Sequence, residues 1–113
     1  MSDSLAMTND DRQRIIRSIK RSTADRVIVT HGTDTMVKTA KAIAATIHDK
    51  TVVLVGAIIP YKFGSSDGLF NLGAALAFAQ TLPHGVYVAM NGRVLPYDNC
   101  RKNRKTGAFE KSK

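Results

Sequence analysis

Two short apolar runs constrain the fold of this chain more than any other feature. Arg26-Val27-Ile28-Val29-Thr30 and Thr51-Val52-Val53-Leu54-Val55-Gly56-Ala57 are rich in β-branched residues and carry no polar alternation. A strand with one face in water alternates polar and apolar residues, so unbroken runs like these read as strands covered on both faces, as in a parallel sheet. Between them, Met36, Ala40, Ile43 and Ile47 recur at helical spacing and predict an amphipathic helix ending near His48. Upstream, Thr8-Asn9-Asp10-Asp11 approximates a capping box and predicts a helix from about Asn9 to Arg21. Its Ile15, Ile16 and Ile19 share an inner face, while Arg12, Arg14, Arg17, Lys20 and Arg21 are expected on the outer ones.

The second strand leads into an irregular loop marked by Pro60, Gly64, Ser65, Ser66 and Gly68. A third helix is predicted from Asp67 or Gly68 to Gln80, apolar almost all round, and so buried either in the domain or against a second subunit. Val86–Met90 reads as a third strand, Asn91-Gly92 as a turn and Arg93-Val94-Leu95 as a brief return strand. The tail beyond Pro96 has no periodicity. Helix and strand therefore alternate, which predicts an α/β three-layer sandwich: a mostly parallel sheet with right-handed crossovers and helices on both faces. Ligands in such sheets bind beyond the carboxyl ends of the strands. His31-Gly32-Thr33-Asp34-Thr35 and the loop from Gly56 both lie on that edge.

At 113 residues the chain has room for one domain, 1–113, with a basic tail over 97–113. No apolar run approaches the roughly 20 residues of a membrane span, and residues 1–11 are polar and acidic rather than signal-like, so a cytoplasmic location without membrane partners is expected. One cysteine, Cys100, excludes an internal disulfide, and three scattered histidines make no metal set, so no metal is expected. The 17 basic residues against nine acidic ones give a formal charge of +8, which attracts polyanions non-specifically. Arg101, Lys102, Arg104, Lys105, Lys111 and Lys113 crowd the tail, but Phe109 is its one aromatic residue past Tyr97, and a solvated tail is favoured over a nucleic-acid site.

Threonine becomes a nucleophile only when a neighbouring base takes its proton. Thr33-Asp34 at the open end of a strand therefore calls for a base, with His31 and the lysines as candidates, although a Thr-Asp pair at a helix start is also a common cap. His31 lies near the cleft and is expected to orient the turn through hydrogen bonds. His48 ends a helix and His84 sits in a Pro-His-Gly turn, so neither needs a functional explanation.

Val27-Ile28-Val29-Thr30-His31-Gly32-Thr33-Asp34-Thr35-Met36 resembles the second signature of bacterial L-asparaginases, whose HGTDT turn contributes a threonine and an aspartate to the active site. Lys50 to Ala57 is similar to the family's next strand and Gly-Ala turn, Ser66-Asp67-Gly68-Leu69-Phe70-Asn71-Leu72 to its SADGxFNL helix start, and Met90-Asn91 to the strand beyond. Lys102 falls where the catalytic lysine follows that Met-Asn pair, and Asp98-Asn99-Cys100-Arg101-Lys102-Asn103-Arg104 resembles the short, single-domain members. The resemblance implies a Thr33, Asp34 and Lys102 triad that hydrolyses L-asparagine, or L-glutamine, to the acid and ammonia without a cofactor, in a homo-oligomer. It also implies substrate contacts from Ser4, Thr33, Asp34 and the backbone carbonyl at Ala57. The family's first signature, TGGT-I, carries the threonine regarded as the primary nucleophile. No Gly-Gly pair occurs in these residues, so the chain is expected to begin downstream of that strand and to be weak or inactive as an enzyme. The rival expectation is a non-catalytic interaction module, or the remnant of a split gene, with a basic polyanion-binding tail.

Overall fold

A computed structural model describes residues 7–56 and 66–113. Helix α1 spans Asn9–Arg21, and its capping box forms as the sequence predicts: Asp11 N–H donates to Thr8 Oγ1 and Thr8 N–H to the Asp11 carboxylate, at 3.2 and 3.0 Å. Strand β1 (Arg26–His31), helix α2 (Met36–Thr46), strand β2 (Thr51–Gly56), helix α3 (Ser66–Thr81), strand β3 (Gly85–Met90) and strand β4 (Arg93–Pro96) follow. Each element predicted within the described residues is present, with ends that differ by one or two residues.

Among the described residues the main sheet has the order β1-β2-β3-β4; the first three strands are parallel and β4 runs antiparallel at one edge. The other edge is β1, where Val27, Ile28 and Val29 are half-buried, whereas every residue of β2 is buried. An open groove of about 490 Å³ runs along β1, floored by Val27, Ile28 and Val29 and walled by Ile15 and Ile19 of α1. The side chains of β2 alternate between two cores, as period-2 geometry requires. Val52 and Leu54 pack with Ile16 and Ile19 of α1 and Met36, Ala40 and Ile43 of α2, while Val53 and Val55 pack with Ala75 and Ala79 of α3. The helices thus cover both faces, giving the predicted mostly parallel α/β sandwich.

One expectation needs correction and two gain detail. Arg12 is not on the outside of α1: it is 4% exposed, because it lies one turn before Ile16 on the inward face. Of the two coverings expected for helix α3, the domain itself supplies only part, leaving Leu69, Phe70, Leu72 and Leu76 exposed. The tail, in which no element is predicted from periodicity, is structured. A turn of 3₁₀ helix (Tyr97–Asn99) leads to β5 (Arg101–Lys102), which pairs antiparallel with β6 (Phe109–Glu110). Buried Cys100 and Phe109 anchor this hairpin in the α1–α2 core, and Asn103 organises its loop by accepting the Lys105 and Thr106 amides. Strands of two residues are too short to leave a periodic signal, so the sequence reads as featureless there.

Candidate functional site

The parallel register aligns His31 with Gly56 and Val55 with Ala89, so β1, β2 and β3 end together. Residues Gly32 to Thr35 connect β1 to α2 at that edge. Thr35, at the helix start, lies outside the helical region (φ −119°, ψ 17°), and Thr33 and Asp34 precede it on the half-buried turn. From the far end of the chain, β5 brings Lys102 against them. Its Nζ donates to Thr33 Oγ1 at 2.9 Å and to Asp34 Oδ1 at 2.7 Å. The three residues that the resemblance grouped are thus in one hydrogen-bonded set, although Lys102 is 69 positions from Thr33 in sequence. Ser4 and Ala57, expected to contact substrate, lie outside the described residues.

The set is partly withdrawn from solvent, with side-chain exposures of 19% for Lys102 and 28% for Asp34. Hydrogen bonding and charge from Lys102 hold the Asp34 carboxyl below its usual range; burial opposes this, and Arg104, 3.6 Å from Oδ1, adds a lesser lowering effect. Asp34 is therefore ionised at neutral pH and accepts hydrogen bonds only. The 2.9 Å separation between Lys102 and Thr33 serves either direction. An ammonium donates to the hydroxyl, and a neutral amine accepts from it.

A glycine and a methionine close the floor of the turn. A Cβ built on Gly56 would lie 2.7 Å from Met90 Sδ and 3.0 Å from Thr33 Cγ2, so the absence of a side chain at Gly56 lets both approach. Gly56 N–H donates to Met90 Sδ at 3.2 Å. Met90 is steadied in turn by α3: the buried Asn71 accepts the Asn91 N–H at 2.9 Å, just where Asn91 turns the chain with a positive φ of 56°. The motif residues Gly56, Asn71 and Met90-Asn91 are thereby linked around Thr33.

His31 is 3% exposed, and the contacts of its ring nitrogens are with Gly32, Met7 and Thr39. Its Nδ1 lies 2.6 Å from the Gly32 carbonyl oxygen, consistent with the orienting role expected of it. Burial, with a smaller contribution from Arg12, pushes its pKa below the ordinary value despite the opposing Gly32 hydrogen bond. His48 and His84 are exposed, away from this turn. Among the described residues no cluster of His, Cys, Asp or Glu could hold a metal, and no helix is long and apolar enough to cross a membrane. Of the basic tail, Lys102 and Arg104 face Asp34, and Arg101 pairs with Glu110 at 2.7 Å.

The family model "Asparaginase, N-terminal" matches residues 1–112. The chain is 38% identical over 97 residues to the glutaminase-asparaginase of Acinetobacter glutaminasificans, covering 80% of this chain and 29% of that protein. It is 36% identical over 113 residues to L-asparaginase 1 of Escherichia coli (strain K12), covering 96% of this chain and 32% of the relative. The crystal structure of L-asparaginase I from Vibrio cholerae O1 biovar eltor superposes with a TM-score of 0.86 at 32% identity, over 98% of this chain and 36% of that one. The chain therefore spans about a third of the length of the relatives it matches. With the family model matched over nearly every residue, and the fold shared with a solved member, this chain belongs to the asparaginase family, whose N-terminal part it matches.

Proposed function

We propose that these residues supply the Thr33, Asp34 and Lys102 part of an amidohydrolase site that converts L-asparagine, or L-glutamine, to the acid and ammonia. The observation that carries this reading is the placement of Lys102 Nζ within hydrogen-bond reach of both Thr33 Oγ1 and Asp34 Oδ1. A general base must lie at about that distance from the proton it takes. With Lys102 neutral, the Thr33 hydroxyl passes its proton to Nζ and accepts one from the attacking hydroxyl. The ionised Asp34 stabilises the ammonium thus formed, which then protonates the amide nitrogen so that it leaves as ammonia, and water hydrolyses the resulting ester to release the acid and restore the attacking hydroxyl. The attacking hydroxyl is assigned to the threonine of the family's first signature, which these residues do not include. Ser4 is assigned to the substrate α-carboxylate and the Ala57 carbonyl to its amide, both by resemblance.

Ammonia release from L-asparagine tests the reading. The chain alone is expected to turn over negligibly. With a TGGT-bearing strand supplied ahead of it, activity is expected, and Lys102→Met should lower it by about 10²- to 10⁴-fold, the usual cost of losing a general base. Full activity in Lys102→Met would refute the lysine assignment. Turnover by the chain alone would refute the need for the first-signature threonine. The polyanion-binding alternative is disfavoured by the engagement of Arg101 with Glu110 and of Lys102 with Asp34. A cytoplasmic homo-oligomer remains our expectation for the assembled protein, the latter supported by the exposed apolar face of α3.

A further inference from the structure

Arg12 is a buried guanidinium that the proposed proton path does not use. It is 4% exposed, and behind the turn its Nε donates to Thr39 Oγ1 at 3.1 Å while Nη1 donates to Asn9 Oδ1 at 3.1 Å. Thr39, wholly buried on α2, lies 2.8 Å from His31 Nε2, and His31 Nδ1 lies 2.6 Å from the Gly32 oxygen. We propose that Arg12, acting through Thr39 and His31, is a positioning residue that fixes the Gly32 carbonyl and hence the orientation of the Thr33 hydroxyl toward Lys102.

The chemistry of the donors gives this chain of contacts one direction. Arginine cannot accept a hydrogen bond and a carbonyl oxygen cannot donate one. Arg12 therefore donates to Thr39 Oγ1, and His31 Nδ1 must carry the proton that reaches the Gly32 oxygen. In the neutral imidazole Nε2 is then the acceptor, filled by the Thr39 hydroxyl proton. Met7 Sδ lies 3.1 Å from the same Nε2 and 3.8 Å from Thr39 Oγ1; with the single Thr39 hydroxyl proton given to the nitrogen, the sulfur packs against the outer side of the cluster without receiving a hydrogen bond. Every link is thus specified by its neighbour, beginning at a cation that stays charged. The cluster also explains why a charged residue occupies the inward face of α1. Its donor reaches Thr39 on α2, 27 positions away, and couples the start of α1 to the turn after β1.

The functional meaning rests on Thr33 being the hydroxyl that Lys102 deprotonates, whereas the cluster can be tested without turnover. ¹⁵N NMR of histidine-labelled protein should find the His31 imidazole in the Nδ1–H tautomer. Thr39→Val, which keeps the shape and removes the hydroxyl, should mix in the Nε2–H tautomer and speed amide exchange at Gly32 and Thr33 by roughly tenfold, the scale of one lost hydrogen bond. Thr39→Ser should restore both. Arg12→Lys, which loses the Nε donor but keeps the charge, should behave like Thr39→Val and serves if that variant does not fold. An Nε2–H tautomer in the unaltered protein would overturn the proposal. So would a folded Thr39→Val or Arg12→Lys variant with unchanged tautomer or unmoved Gly32 and Thr33 amides. Titration with L-aspartate, the product of the proposed reaction, separates the two readings. If it binds neither the unaltered protein nor the variants, the functional reading is in difficulty while the tautomer still decides the positioning role.

Discussion

Gly56→Ala tests the packing that lets Thr33 meet its partners. The added methyl would sit 2.7 Å from Met90 Sδ, 3.1 Å from Met90 Cε and 3.0 Å from Thr33 Cγ2. Non-bonded carbons rest at about 3.5–4.0 Å, so roughly an ångström must open on one side and about half of that on the other. Met90 is unbranched and can swing away. Its sulfur, however, accepts the Gly56 N–H at 3.2 Å, so the rotation that relieves the clash also breaks that bond. Thr33 has less freedom, being stiff at χ1 and held by Lys102 through its hydroxyl. Overpacking of this kind costs about 1–3 kcal/mol. With a urea m-value of about 2 kcal/mol/M, the unfolding midpoint should fall by roughly 0.5–1.5 M. Urea unfolding followed by circular dichroism measures it in a cycle with Met90→Ala. Removing the Met90 thioether leaves only the Thr33 contact, so Gly56→Ala should cost less than half as much in that background. An equal loss in both backgrounds, or no loss in the first, would refute the reasoning.

Cys100 is 4% exposed and burial pushes its thiol up to about 11, so a thiol reagent at pH 8 should label it only as the protein unfolds; labelling at the rate of a free thiol would contradict its place in the core. Burial and Arg12 hold the His31 pKa below 6.5 in the folded protein, so the unfolded chain binds the extra proton first. The stability tied to neutral His31 is therefore complete above about pH 6.5 and declines as pH falls toward the folded value. The urea midpoint between pH 7.5 and 5.5 should drop more in the unaltered protein than in His31→Gln, and equal slopes would exclude the effect. Leu72 and Leu76 are 40% and 47% exposed on α3, whereas Phe78 packs partly into the domain's own core. Sedimentation should find a reversible oligomer that Leu76→Glu converts to folded monomer; a folded monomer at high concentration without any substitution would rule out assembly through this face.

Much of this architecture follows from local sequence. The β-branched runs at Val27–Val29 and Val52–Val55, the helical stripe Met36, Ala40 and Ile43, and the Thr8 capping box each specify an element through interactions among near neighbours. The pairing of Thr33-Asp34 with Lys102 was legible only through resemblance, because nothing in a basic stretch distinguishes a lysine that will be drawn to a carboxylate from one that will stay in solvent. What drew it there is the burial of Cys100 and Phe109, which fastens the β5–β6 hairpin to the core and leaves Lys102 facing the turn.

The sequence by itself determined the succession of strands and helices, the two-sided burial of β2 and the placement of Thr33 and Asp34 at a strand end. These depend on side-chain periodicity and on backbone preferences that reach no further than a turn or two. Tertiary structure alone decided that Arg12 points inward to Thr39 and that Gly56 makes room for Met90 against Thr33. It also decided that Asp34 is held ionised by cations nearly 70 positions away. Each of these depends on which distant groups share a few cubic ångströms, and on whether burial leaves a polar atom any partner but the one packed beside it.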